Sequence, residues 1–230
     1  MRVLIINGQN HKGSTYHIGR ILAEKTAPKK NIEEVFLPRD FGEFCCGCGQ
    51  CFTVSEKKCP HYGKLREITR KIDSADVIIF TVPTYVFHST GQMKALLDHY
   101  GWRWTVHRPD ERMFRKQAVV ISTSAGMGHR SAIKDVADSC FFWGIPKIYK
   151  MGIAVYALKW SEVSEKTKSI IEEKTTETAK KIRSSMYSVR VPLKTKLFFE
   201  LMRKLHMKAF PFDRKYWSEK GWFGNKRPWR

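Results

Sequence analysis

The chain has 230 residues, the length of one domain with room for an appendage. It is 42 % apolar, enough for a proper core, and carries a formal net charge of +20. No run approaches the roughly 18 apolar residues of a membrane span, and VLIIN at residues 3–7 is too short for the apolar part of an export signal, so a cytosolic chain with reduced thiols is expected.

The elements alternate along the chain. Residues 3–7 read as a strand buried on both faces, and residues 14–25 as a helix with Ile18, Ile21 and Leu22 on one stripe. IEEVFL at 32–37 is a second strand. A cysteine-rich loop follows, then a helix over about 62–72 through Leu65, Ile68 and Ile72. ADVIIFTVP at 75–83 is the third strand, 89–99 a helix, QAVVISTS at 117–124 the fourth strand and 131–142 a helix. KIYKMGIAVY at 147–156 is the fifth strand, and a long charged helix runs from 161 to about 186. Strict alternation of strand and helix predicts a parallel sheet with right-handed crossovers. Near-continuous Val/Ile runs are the mark of strands covered on both faces. Five strands suggest an α/β, flavodoxin-like doubly wound sheet, in which ligands bind beyond the carboxyl ends of the strands.

The loop after the first strand, NGQNHKGSTYHIG at 7–19, lacks both G-x-G-x-x-G and the P-loop pattern. It places His11, Lys12, Gly13, Ser14 and Thr15 at a helix start, where backbone N–H groups and the helix dipole favour an anion such as a monophosphate. Ser and Thr before a helix also serve as plain caps, and the loop alone does not separate the two uses. After strand three, PTYVFHSTGQMKALLDH at 83–99 sets Tyr85, Phe87 and His88 at the sheet edge. After strand four, STSAGMGHR at 122–130 is small and glycine-rich, so a planar ring can lie close to its backbone.

These three loops resemble the NADPH-dependent FMN reductase family of flavodoxin-like flavoproteins. The matches are Gly8 to Thr15 for its phosphate loop and Pro83 to Asp98 for its P-x-Y-…-G-Q-M-K-…-D-R segment. Gln9 and His11 stand where the family has Ser and Arg, and His99 where it has Arg. The resemblance covers roughly residues 1–155, and GQMKALLDH is its most specific part. It implies FMN, with Gln9, His11, Lys12, Gly13, Ser14, Thr15 and Tyr16 around the phosphate. Pro83, Thr84, Tyr85, Val86 and Phe87 would flank the ring on one side, and Thr123, Ser124, Ala125 and Gly126 on the other. The implied chemistry is hydride transfer from NAD(P)H to the flavin and onward to a quinone, a nitro compound, a flavin or oxygen. The flavin carries the chemistry, so no catalytic acid or base is assigned. Tyr85, His88 and His107 are candidates for substrate contact only.

Five of six cysteines fall within FCCGCGQCFTVSEKKCPH at 44–61. Cys45, Cys48 and Cys51 are spaced C-x2-C-x2-C, and Cys59 follows after seven residues with Pro60 behind it. A zinc site commonly pairs two separated C-x-x-C knuckles. The tight triplet is closer to the ferredoxin run that wraps a [4Fe–4S] cluster, and Gly47 and Gly49 would let the loop curl. A plain thiol loop is the other reading. The motif also resembles that of the archaeal and clostridial iron–sulfur flavoproteins, which implies Cys45, Cys48, Cys51 and Cys59 as cluster ligands beside the flavin. Cys46 is spare, and Cys140 is expected on a buried helix face. An electron carrier between partner proteins is the alternative function, and a non-redox binding module a third.

Residues 180–230 hold fifteen Lys or Arg against three acids, Glu200, Asp213 and Glu219, a local excess of +12. The first 179 residues are only moderately basic. The boundary of the flavodoxin-like domain is drawn at 187, with 188–230 as a basic extension. Within it, 194–210 has helical spacing, with Phe198, Leu201, Met202 and Leu205 as its apolar stripe, and aromatic residues follow among the charges. Packing against a second subunit as a dimer or tetramer is the favoured use. A membrane surface comes next, and no nucleic-acid motif accompanies the charge.

Overall fold

The apolar runs become the strands of one sheet in the computed structural model, which describes residues 1–186, 188–208 and 210–230. The boundary drawn at 187 and the helix drawn over 194–210 touch Tyr187 and Ala209, which lie outside the described residues. Strands β1 (Val3–Asn7), β2 (Ile32–Phe36), β3 (Val77–Thr81), β4 (Gln117–Ser124) and β5 (Lys147–Ala154) pair in parallel in the order β2-β1-β3-β4-β5. This is the flavodoxin-like doubly wound order, and its direction reverses between β1 and β3.

The helices are α1 (Ser14–Thr26), α2 (Gln50–Thr53), α3 (Tyr62–Ser74), α4 (Gly91–Asp98), α5 (His129–Phe142), α6 (Glu165–Ser184), α7 (Leu193–His206) and α8 (Pro211–Glu219). Side chains alternate across a strand, so each run feeds two cores. Leu4, Ile6, Ile78, Phe80 and Val120 pack on Leu65, Ile68, Met93, Leu96 and Val136 of α3, α4 and α5. Cys140 is fully buried in that core, and burial pushes its thiol far up. Val3, Ile5, Ile79, Val119 and Ile121 pack on Ile18 and Leu22 of α1 and Ile171 and Ile182 of α6.

Local chemistry moves several predicted boundaries. The helix expected from 161 divides into a 3-10 turn at Trp160–Glu162 and α6, because the Ser164 side chain accepts from the Thr167 N–H and starts a new helix. The helix expected from 131 begins at His129, because Gly128 takes a left-handed φ of +92° at its N-cap. The strand expected to reach 156 stops at Ala154, before Tyr156 turns the chain with a positive φ of +49°.

The extension packs on its own chain. Phe199 of α7, Trp217 of α8 and Trp222 enclose Phe114 in a third core, with the Phe199 and Trp217 rings 4.7 Å apart. Trp217 and Trp222, aromatic residues of the extension, are therefore buried within their own chain. The predicted stripe of α7 is also corrected. Thr195, Phe199, Met202 and His206 face the body, while Leu201 and Leu205 point outward. Turning the helix this way buries Phe199, whose ring offers more apolar area than a leucine.

Lys116, just before β4, is buried and donates to the carbonyls of Asp73 and Ala75. Burial lowers its pKa from 10.5 to about 8. The folded pKa lies below the unfolded one, so the unfolded chain holds the extra proton between those values and stability should rise with pH across that window. The gain attributable to Lys116 is at most about 3 kcal/mol. Denaturant melts between pH 8 and 10.5 should show a steeper rise in the native chain than in Lys116→Met; parallel profiles would refute the assignment.

Candidate cofactor site

The turns after β1, β3, β4 and β5 meet at one sheet edge around a cavity of about 290 Å³. Their backbones are tied together. The Gly8 N–H donates to the Thr81 carbonyl at 2.8 Å, and Thr90 Oγ1 donates back to the Gly8 carbonyl at 2.8 Å. A Cβ at Gly8 would come within 3.0 Å of the Thr81 oxygen and 3.1 Å of Thr90 Oγ1, so this crossing admits only glycine without a shift. Thr84 N–H donates to the Thr123 carbonyl at 2.9 Å, and Thr15 and Thr123 share a hydroxyl contact of 2.5 Å.

The structure separates the two readings of the first loop. The N-cap of α1 is Gly13, which has no side chain to cap with, and Ser14 and Thr15 lie inside the first turn. Ser14 Oγ is buried with no hydrogen-bond partner among the described residues. A buried hydroxyl without a partner costs about 1–3 kcal/mol. Here it sits beside the uncapped amides of a helix start, where an anion completes both. That geometry fits a phosphate.

The second loop carries strain. Tyr85 and His88 exchange both backbone hydrogen bonds at 2.9 Å, which closes a two-residue turn over Val86 and Phe87. Both turn residues take positive φ, +49° and +65°. Glycine or asparagine normally occupies such positions, and a β-branched residue there costs about 1–3 kcal/mol. Val86 is 93 % exposed, so its side chain is not repaid by burial within the chain. Val86→Asn should therefore raise stability by about 1 kcal/mol in urea melts; an equal or lower midpoint would show that the turn is not strained.

Of the residues expected around FMN, Gln9, His11, Gly13, Ser14, Thr15, Tyr16, Pro83, Thr84, Tyr85, Thr123, Ser124 and Ala125 line the cavity. Lys12, Val86, Phe87 and Gly126 stand outside its lining. Lys12 lies over the Tyr16 ring at 5.5 Å. Val155, Ala157 and Leu158 complete the wall from the turn after β5, which sequence reading did not single out. Their signal was positional: β5 ends at the same edge as β4. Of the substrate-contact candidates, Tyr85 lines the cavity and His88 pairs with Asp135 at 3.2 Å. His107 does not belong here: its Nδ1 donates to Asp213 of α8 at 2.8 Å.

The cysteine loop leaves β2 and curls at Gly47 and Gly49, with φ of +67° and +70°. An added Cβ at either would meet nothing, so their glycines serve backbone conformation rather than space. Burial raises the Cys51 thiol first, and the neighbouring Cys59, Cys45 and Cys48 add to it. Burial likewise raises Cys59, with Cys48 and Cys45 again among its neighbours. Cys45 and Cys48 thus lie near enough to influence both half-buried thiols, and Cys46 influences Cys59 as well. Cys45, Cys46 and Cys48 are exposed, while Cys51 and Cys59 are half-buried. Arg108 pins the loop by donating to the carbonyls of Cys51 and Phe52, and is itself held by Asp213 at 3.0 Å.

Cys59 also borders a larger cavity of about 800 Å³ between α3, residues 99–112 and α8. At that border Cys59, His61 and His99 bring three donor atoms within 4.8 Å of one another. His99 Nδ1 faces the Ala95 carbonyl at 2.7 Å, and His61 Nδ1 faces His99 Nε2 at 2.9 Å. His99, one of the two histidines that depart from the family pattern, thus touches the corner of the thiol loop.

A family model described as NADPH-dependent FMN reductase matches residues 1–154. An iron–sulfur flavoprotein of Archaeoglobus fulgidus is 27 % identical over 197 residues, covering 83 % of this chain and 84 % of that protein. Among solved structures, an NAD(P)H:quinone oxidoreductase from Methanothermobacter marburgensis superposes with a TM-score of 0.59 at 14 % identity, covering 80 % of this chain and 97 % of that one. An FMN-dependent NADH-azoreductase from Bacillus anthracis, solved with FMN, gives a TM-score of 0.56 at 16 % identity, covering 78 % and 100 %. At those identities the two structures speak for the fold.

Proposed function

The chain belongs to the NADPH-dependent FMN reductase family, and on that premise we propose an oxidoreductase with two redox centres in neighbouring loops. Membership makes it an NAD(P)H-dependent FMN oxidoreductase. The finer reading is that electrons pass to a small acceptor such as a quinone, a nitro compound, a flavin or oxygen.

FMN, when bound, supplies hydride acceptance from the nicotinamide and release of electrons to the acceptor. The chain's own part is to bind and orient. Ser14, Thr15 and the first amides of α1 hold the phosphate, with Gln9, His11, Lys12, Gly13 and Tyr16 around it. Pro83, Thr84 and Tyr85, with Val86 and Phe87 at the rim, confine one side of the ring. Thr123, Ser124, Ala125 and Gly126 confine the other. The observation that carries this assignment is the partnerless Ser14 hydroxyl at the uncapped start of α1.

For the second centre, Cys45, Cys48, Cys51 and Cys59 would hold a [4Fe–4S] cluster. Their C-x2-C-x2-C…C spacing in one loop and the name of the Archaeoglobus fulgidus relative support it. Exposed apolar residues near the flavin cavity, Val86, Met127 and Tyr156 among them, suit the face of the expected homo-oligomer. No described helix is long and apolar enough to cross a membrane.

The test is a spectrum of anaerobically purified protein with iron analysis. Flavin bands, a broad shoulder near 400 nm and about four irons per chain are expected. A yellow, iron-free protein would remove the cluster; a colourless protein that FMN cannot restore would remove the flavin. The three exposed cysteines favour a second reading, an electron carrier that docks partner proteins at the cluster. Turnover with NADPH and a quinone supports the reductase. Reduction by ferredoxin without NAD(P)H oxidation supports the carrier.

A further inference from the structure

Helix α7 presents two apolar faces, and one of them is used. Phe199, Met202 and His206 bury the inner face against α8 and Phe114. The outer face carries Leu193, Leu197, Leu201 and Leu205, four residues apart, with exposures of 70, 61, 53 and 45 %. Spacing of four keeps them on one side of the helix. Single exposed leucines need no explanation, but a stripe of four does. Met207, just beyond the helix, is exposed as well, whereas Phe210 turns back onto His206 of the inner face.

Charge decides what can cover the stripe. Lys194, Lys204 and Lys208 lie among the leucines, and Lys196 flanks them, all exposed. Lys196, Lys204 and Lys208 make no ion pair among the described residues. Glu200, the only acid on α7, is already tied to Arg203 and Arg227. A second copy laid face to face would set lysine against lysine around the apolar contact. An anionic bilayer has no such conflict, because leucines enter the interface while lysine stems extend to the phosphates. The rest of the molecule helps, since the net charge is +20.

We propose that α7 docks this protein on anionic lipid surfaces, with Leu193, Leu197, Leu201 and Leu205 in the interface and Lys196, Lys204 and Lys208 on the headgroups. Attachment is peripheral and reversible: α7 lies along the surface while its inner face stays on the domain. The assignment does not depend on which electron acceptor the flavin serves.

Co-sedimentation of the full-length, FMN-loaded protein with vesicles tests it. Phosphatidylcholine vesicles should leave the protein in solution, whereas vesicles with about 30 % phosphatidylglycerol should carry it down. Salt at ~0.5 M should weaken that binding, because screening shortens the reach of the lysines. Leu197→Glu with Leu201→Glu should cut vesicle binding at least about tenfold, and Lys204→Glu with Lys208→Glu by a similar factor. Both pairs are exposed, so flavin content and thermal midpoint should stay at wild-type values. No sedimentation above the phosphatidylcholine control, or undiminished binding by the leucine variant, overturns the proposal. So does a dimer seen by light scattering that the leucine variant dissociates while vesicles fail to bind, which would give the stripe to a second copy.

Discussion

Ser14→Asp is expected to give a folded protein that no longer holds FMN. Ser14 Oγ has no hydrogen-bond partner among the described residues, so its replacement removes no internal hydrogen bond. A carboxylate in the first turn of α1 also meets the positive end of the helix dipole, which stabilises the free protein by about 0.3–1 kcal/mol. The same carboxylate occupies the place of the phosphate and repels it. Losing a charge-assisted bond and gaining that repulsion should weaken FMN by at least about 3 kcal/mol, more than 100-fold in affinity. The two effects have opposite signs: the thermal midpoint of the free protein should hold or rise while FMN titration by fluorescence quenching collapses. Ser14→Ala, which only removes the hydroxyl, should fall between, near tenfold. A yellow Ser14→Asp protein with native FMN affinity would sink the phosphate assignment.

Asp213→Ala should be the most destabilising change in the extension. Asp213 is buried, accepts from His107 at 2.8 Å and binds Arg108 at 3.0 Å. Removing one partner of a buried pair leaves an uncompensated charge, at a cost of about 3–5 kcal/mol. Arg108 also supports the carbonyls of Cys51 and Phe52, so its release should loosen the thiol loop as well. The expected result is a urea midpoint lowered by about 3 kcal/mol of stability and, on the proposed cluster in that loop, reduced iron content with unchanged FMN content. The cavity proposed for FMN shares no lining residue with this network, which is why the two contents should separate. Wild-type stability would show that Asp213 does not anchor α8. A destabilised variant with full iron would show that α8 does not hold the loop.

The meeting of three loops at one sheet edge was readable before any coordinates. Parallel strands need long apolar runs, and strand ends followed by turn chemistry must lie at one edge of such a sheet, so the segments at 9–16, 83–87 and 123–126 could be assigned to one edge, where all but Asn10, Lys12, Val86, Phe87 and Gly126 line the cavity. The wall at Val155, Ala157 and Leu158 was not readable, because those residues carry no polar or glycine signal and matter only by the position of β5. Equally, no pattern told whether Ser14 and Thr15 cap α1 or lie within it. That depended on Gly13 taking the N-cap, a matter of one backbone conformation.

By itself, the sequence determined the alternating architecture, the loops at the binding edge, the cysteine spacing and the concentration of charge beyond residue 180. These follow from periodicity, turn residues and composition, all of which are local. Only the tertiary structure decided which face of α7 is buried, that His107 and Arg108 bind Asp213, and that Lys116 is buried against the carbonyls of Asp73 and Ala75. Each depends on residues up to about a hundred positions away, and a helix with apolar side chains on two sides gives no local reason to bury one rather than the other. Packing against Phe114 and Trp217 made that choice, and it left the leucines of α7 facing outward.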